Sequence, residues 1–131
     1  MENEFVSYEQ AVALKEIGFD GDALKVYSTK WTKLMDEEYA VRYDVDYVLS
    51  PLKQQVFRWF REKYELYYHI FPLQITASDK TGYRYSWEIY NHTPEWIAND
   101  EELLGSLTYE EAESACIDKL IELAKQQDNG K

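Results

Sequence analysis

Few residues of this 131-residue chain have the type and spacing that chemistry needs. Asp44 and Asp46 form an Asp-x-Asp pair. On a strand, alternate side chains share a face, so both carboxylates would point the same way and could share a divalent cation. That chemistry also calls for phosphate-binding groups, and no glycine-rich loop or matching basic cluster accompanies the pair. His69 and His92 lie far apart, with no Cys or His at metal-ligand spacing. Either could serve as a general base only if the fold delivered a nucleophile to it. Cys116, the one cysteine, falls on the apolar face of a helical pattern, where a thiol behaves as a small hydrophobe. A Cys116–His92 dyad is geometrically open, but nothing else in the pattern supports it. Lys53, Arg58, Arg61 and Lys63 make the most basic stretch, a phosphate-binding face that the overall charge opposes. Gly-x-Ser-x-Gly, P-loop and His-Glu-x-x-His patterns are absent from the sequence. The expectation is a non-enzyme with no catalytic residue, no metal and no cofactor.

Charge and composition narrow the partners. The formal net charge is −11. Such a surface repels phosphate backbones and anionic membranes, and it favours a partner with basic groups. Nucleic acid is therefore an unfavourable partner, and no apolar run approaches the length of a membrane span. Three acidic clusters stand out: Asp36-Glu37-Glu38, Asp100-Glu101-Glu102 and Glu110-Glu111-Glu113. The third opens a helix, where carboxylates favour the dipole; the other two read as solvated loops. Hydrophobic residues make up 45% of the chain and aromatics 16%, too much for a disordered segment. Twelve Tyr and four Trp suit half-buried sheet faces and interfaces. A single cysteine allows no internal disulfide, which fits a reducing compartment. Met1-Glu2-Asn3-Glu4 lacks the basic-then-apolar layout of a secretory leader, so the expected location is cytoplasmic.

These residues must be positioned by elements that the pattern outlines. Ser7 caps a first helix and Gln10, three residues on, completes a capping box, with Val6 and Ala11 at the staple positions. Gly18 supplies its left-handed end, and Phe19 folds back on the last turn. Leu24 to Ser28 reads as a strand, with Lys30 to Met35 as its hairpin partner. Asp36-Glu37-Glu38 reads as a turn, and 39–43 and 44–49 as strand-like stretches with Val41, Tyr43, Val45, Tyr47 and Leu49 on one face. Ser50 as cap and Pro51 at the first helical position start a second helix, whose stripe is Leu52, Val56, Trp59, Phe60 and Tyr64. A hairpin follows. Phe71, Leu73 and Ile75 share a face of one strand, and Tyr83, Tyr85, Trp87 and Ile89 share a face of the next, across a turn at 78–82. Pro72 lacks a ladder donor, so its strand lies at an edge or starts there. Residues 91–107, with Pro94, Trp96 and Gly105, read as an acidic irregular connection. Thr108 and Glu111 form a second capping box, opening a helix with Tyr109, Ala112, Cys116, Leu120 and Leu123 inward. Residues 126–131 read as a frayed tail.

The expected architecture is a single α+β domain over 1–131, a small antiparallel sheet packed against about three helices. Three segments also carry a resemblance: Val6-Ser7-Tyr8-Glu9-Gln10-Ala11 with Gly18-Phe19-Asp20, the stretch from Ser50 to Tyr64, and Tyr109 to Cys116. Together they resemble short uncharacterised proteins of gut anaerobes and their phages or mobile elements. That group has no established activity, so the resemblance implies a genomic context and no site residue. The leading functional expectation is a binding or adaptor protein that takes another protein or a second copy of itself. Its expected surface is the exposed side of the strand at 83–90 plus the acidic connection: Arg84, Ser86, Glu88, Tyr90, Trp96, Asp100, Glu101 and Glu102. An acidic mimic of DNA and a small-substrate enzyme are the alternatives.

Overall fold

The computed structural model describes residues 4–77, 80–93, 96–99 and 108–129. Helix α1 (Tyr8–Glu16) begins at Ser7, whose Oγ accepts from the Gln10 N–H at 3.1 Å while Gln10 Oε1 accepts from the Ser7 N–H at 3.0 Å. It ends as expected at Gly18, where φ is 85°. The N–H of Phe19 reaches the carbonyl of Leu14, and that of Gly18 the carbonyl of Lys15, so the last turn is closed by paired backbone groups.

Strands β1 (Lys25–Ser28) and β2 (Leu34–Met35) form the expected hairpin. The next segment departs from expectation. Residues 37–42 form a short helix, α2 (Glu37–Arg42), in place of a turn and a strand. Two physical features override the strand-like composition. Glu37 and Glu38 sit in the first turn and Arg42 in the last, matching the helix dipole. Ala40 faces inward and is fully buried where α2 packs against β1, as is Val26. A strand covers only Tyr47–Ser50 (β3), and it pairs antiparallel with β1, giving a sheet ordered β2-β1-β3.

Helix α3 (Lys53–Tyr64) starts later than expected. Ser50 does not cap it, because Ser50 is the last β3 residue and pairs with Lys25, while the Pro51 carbonyl accepts from the Val6 N–H. Leu52 takes the cap position, and its N–H is satisfied by Gln55 Oε1 at 2.8 Å. Val56, Phe57, Trp59 and Phe60 are buried along one side, each large side chain contributing about 1.5–3 kcal/mol of burial free energy. Trp59 is held from outside by its Nε1–H bond to Asp20 Oδ1 and by Phe19, 5.1 Å away ring to ring.

The second sheet is ordered β4-β5-β6: β4 (Tyr67–Ala77), β5 (Lys80–Tyr90) and β6 (Trp96–Asn99). β6 corrects the expectation of an irregular connection at these residues: Trp96–Asn99 folds back antiparallel on the end of β5, with a bulge between Ile89 and Tyr90 that breaks the simple alternation. Pro72 lies on β4, an edge strand, as expected. Helix α4 (Tyr109–Asn129) opens on the expected Thr108–Glu111 box and stays helical through 126–129. The architecture is α+β, with two three-stranded antiparallel sheets and four helices among the described residues. One buried cluster joins both sheets to three of the helices: Leu14 from α1, Val48 from β3, Phe57 and Phe60 from α3, Trp87 and Ile89 from β5, and Cys116, Ile117 and Leu120 from α4. None of the helices among the described residues is long and apolar enough to cross a membrane.

Candidate functional site

The pleat of the second sheet sorts its side chains into two faces. Tyr68, Ile70, Tyr85, Trp87 and Ile89 pack into the core or against it, with Phe57 stacked on Tyr68 at 3.7 Å between ring centres. The opposite face carries Tyr67, His69, Phe71 and Leu73 on β4, opposite Tyr90, Glu88, Ser86 and Arg84 on β5. Tyr90 in turn pairs with Trp96 on β6, and Glu88 with Asn99. Phe71 and Leu73 therefore face away from Trp87 and Ile89, and the hairpin is apolar on both sides. Sequence alternation identifies both sets but not their relative side, because the register across the turn decides it.

The expected surface residues Arg84, Glu88, Tyr90 and Trp96 share this outer face. Trp96 is 53% exposed and Tyr67 41%. The Tyr90 hydroxyl donates a short hydrogen bond to Glu88 Oε2, and that bond raises the phenol above its ordinary pKa. His69 Nδ1 lies 3.9 Å from the same Glu88 oxygen, and its ring is 5.2 Å from Phe71. Ser86 is a correction. It lies in this row but is fully buried, and its Oγ has no hydrogen-bond partner among the described residues, so it is not presented to a ligand. Asp100, Glu101 and Glu102 lie outside the described residues.

The other candidates come apart. Asp44 and Asp46 are not on a strand: Asp44 takes a left-handed φ of 52° after α2, and β3 starts at Tyr47. No group of three metal-ligating residues converges among the described residues. Cys116 is fully buried, which pushes its thiol pKa well up, whereas His92 is exposed beside Glu65 at 3.6 Å. Most of the basic stretch is engaged within the chain: Arg58 pairs with Glu62 at 2.8 Å, Lys63 lies over the Trp59 ring, and Lys53 is buried.

One polar cluster was not anticipated. The Tyr68 hydroxyl donates to Gln54 Oε1 at 3.3 Å, and Gln54 Nε2 donates to Glu113 Oε2 at 3.2 Å. Burial raises the Glu113 carboxyl above its usual range, against the pull of Lys53 and Gln54. A cleft of about 420 Å³ opens here, lined by Lys53, Gln54, Tyr109, Glu110 and Glu113. Glu113 belongs to the acidic cluster that sequence reasoning assigned to a helix start; its helical spacing from Cys116 and Leu120 was the signal that it turns inward. No protein-family model, no curated protein and no solved structure matches the chain.

Proposed function

We propose that this is a non-enzymatic protein-binding or adaptor protein, and that it binds through the outer face of the β4-β5-β6 sheet. The carrying observation is the two-sided character of that sheet. Its inner face builds the core, yet its outer face still presents Tyr67, Phe71, Leu73, Tyr90 and Trp96 around Arg84, Glu88 and His69. Aromatic side chains with polar tips, mixed with charges, are the composition of binding surfaces. The net charge of −11 supports a partner with basic groups. A phage or mobile-element accessory role in the cytoplasm fits the resemblance and the single cysteine. The DNA-mimic reading has less support, since residues 24–35 hold three lysines and no carboxylate.

The test is affinity capture from native cells with the wild-type chain, a Tyr67→Ala/Trp96→Ala variant and a Lys125→Ala control, exposed on α4. The proposal expects one partner, or self-association by sedimentation, that the double variant loses and the control keeps. A partner held equally by all three, or a monomer with no partner, overturns it.

A further inference from the structure

We infer that the cleft between the β1–β2 hairpin and α2 binds a small anion carrying a planar ring, the chemistry of a mononucleotide. This concavity, about 1060 Å³, has the size of a small-molecule site and lies apart from the outer face of the second sheet. Its lining joins Lys25, Lys33, Tyr27, Trp31, Asp36 and Tyr39. The hairpin is the local exception in an acidic chain. Residues 24–35 contain Lys25, Lys30 and Lys33 and none of the 25 Asp and Glu residues. The one carboxylate lining the cleft, Asp36, is neutralised by Lys25 Nζ at 2.9 Å. The Lys33 ammonium has no hydrogen bond or ion pair among the described residues, and Lys30 Nζ sits 5.4 Å over the Trp31 ring. Trp31 is 58% exposed and Tyr39 52%; Lys30 covers one side of Trp31 and Tyr43 packs against Tyr39 at 4.6 Å, which leaves each ring one side for a ligand near Lys33.

The loop that holds Trp31 is built rather than loose. The hydroxyl of buried Ser28 accepts from the Trp31 N–H at 3.1 Å. The next residue, Thr32, takes a left-handed φ of 51° that costs a β-branched residue conformational energy. Its Oγ1 donates to the Trp31 carbonyl at 2.7 Å. Stacking on Trp31 or Tyr39 suits any flat ring, and Lys33 in the lining suits the phosphate. The charge of the whole chain opposes a long polyanion, which restricts the ligand to a small one.

The test is calorimetric titration of the full chain with AMP, with adenosine and with inorganic phosphate, at low salt. The inference expects saturable AMP binding that weakens as salt rises. Adenosine and phosphate alone should each bind about tenfold more weakly or worse. Trp31→Ala and Lys33→Ala should each lower AMP affinity about tenfold, while Arg58→Ala on α3 leaves it unchanged. Circular dichroism of each variant establishes that it folds. No saturable AMP binding, equal binding of phosphate alone, or full affinity in folded Trp31→Ala and Lys33→Ala overturns the inference.

Discussion

Replacing Gln10 by Met separates a helix cap from a tether. Gln10 is 4% exposed and works in two directions. Its Oε1 accepts from the Ser7 N–H, closing the capping box of α1. Its Nε2 points the other way, to the Ser114 carbonyl at 3.0 Å, the Ser114 hydroxyl at 3.1 Å and Asp118 Oδ1 at 2.9 Å. One amide thus joins the first helix to the last, across most of the sequence. The amide has two hydrogens to share among three acceptors, so Gln10→Met loses three effective hydrogen bonds while keeping shape and volume. At about 1 kcal/mol net per bond the loss is about 3 kcal/mol, or roughly 10 °C in Tm for a chain of this size. Ser7→Ala removes only the cap and should cost about 1 kcal/mol. Urea titrations of the two variants, with m-values compared, give the answer. A Gln10→Met loss no larger than that of Ser7→Ala would show that the tether carries no stability and refute the reasoning.

Two further outcomes follow from buried polar groups. Glu113 has a raised carboxyl pKa in the folded state, so the folded chain binds more protons than the unfolded chain once pH passes the ordinary value of 4.5. Stability must fall as pH rises through that window. Glu113→Gln keeps an acceptor and an amide beside Gln54 but cannot ionise. Its stability relative to wild type should therefore grow between pH 4 and pH 7 in thermal melts, and a pH-independent difference would contradict the cause assigned to the shift. Ser86→Ala removes a buried hydroxyl that has no partner among the described residues. Chemical denaturation should show it neutral or stabilising by up to about 1 kcal/mol; a clear loss would mean that the hydroxyl is satisfied in solution.

The legible parts of the fold are those whose cause is local. Ser7 with Gln10, Thr108 with Glu111, and Gly18 reach partners within five residues, so spacing alone identifies them. Ser50 carries the same capping chemistry but is claimed by β3 through its pairing with Lys25, so the helix waits until Leu52. Tyr39 to Tyr43 has a strand's composition, and the inward packing of Ala40 against β1 makes it a helix. Trp96 to Asn99 becomes a strand only because β5 is there to pair with it. At the candidate surface, alternation placed Arg84, Glu88 and Tyr90 correctly on one face, but it could not reveal that Ser86 is covered or that Phe71 and Leu73 join that face. Those facts belong to register and packing. The hairpin cleft is not legible in the sequence for another reason: its lysines are ordinary one by one, and only the fold pairs Lys25 with Asp36 and sets Lys33 in one lining with Trp31.

Site-specific photocrosslinking in native cells tests binding through the outer sheet face most directly. A photoreactive residue at Arg84, exposed on that face, is compared with one at Lys125, exposed on α4. The account predicts a discrete crosslinked product, to a partner or to a second copy, from position 84 and none from position 125. No product at 84, or the same product at both positions, would contradict it.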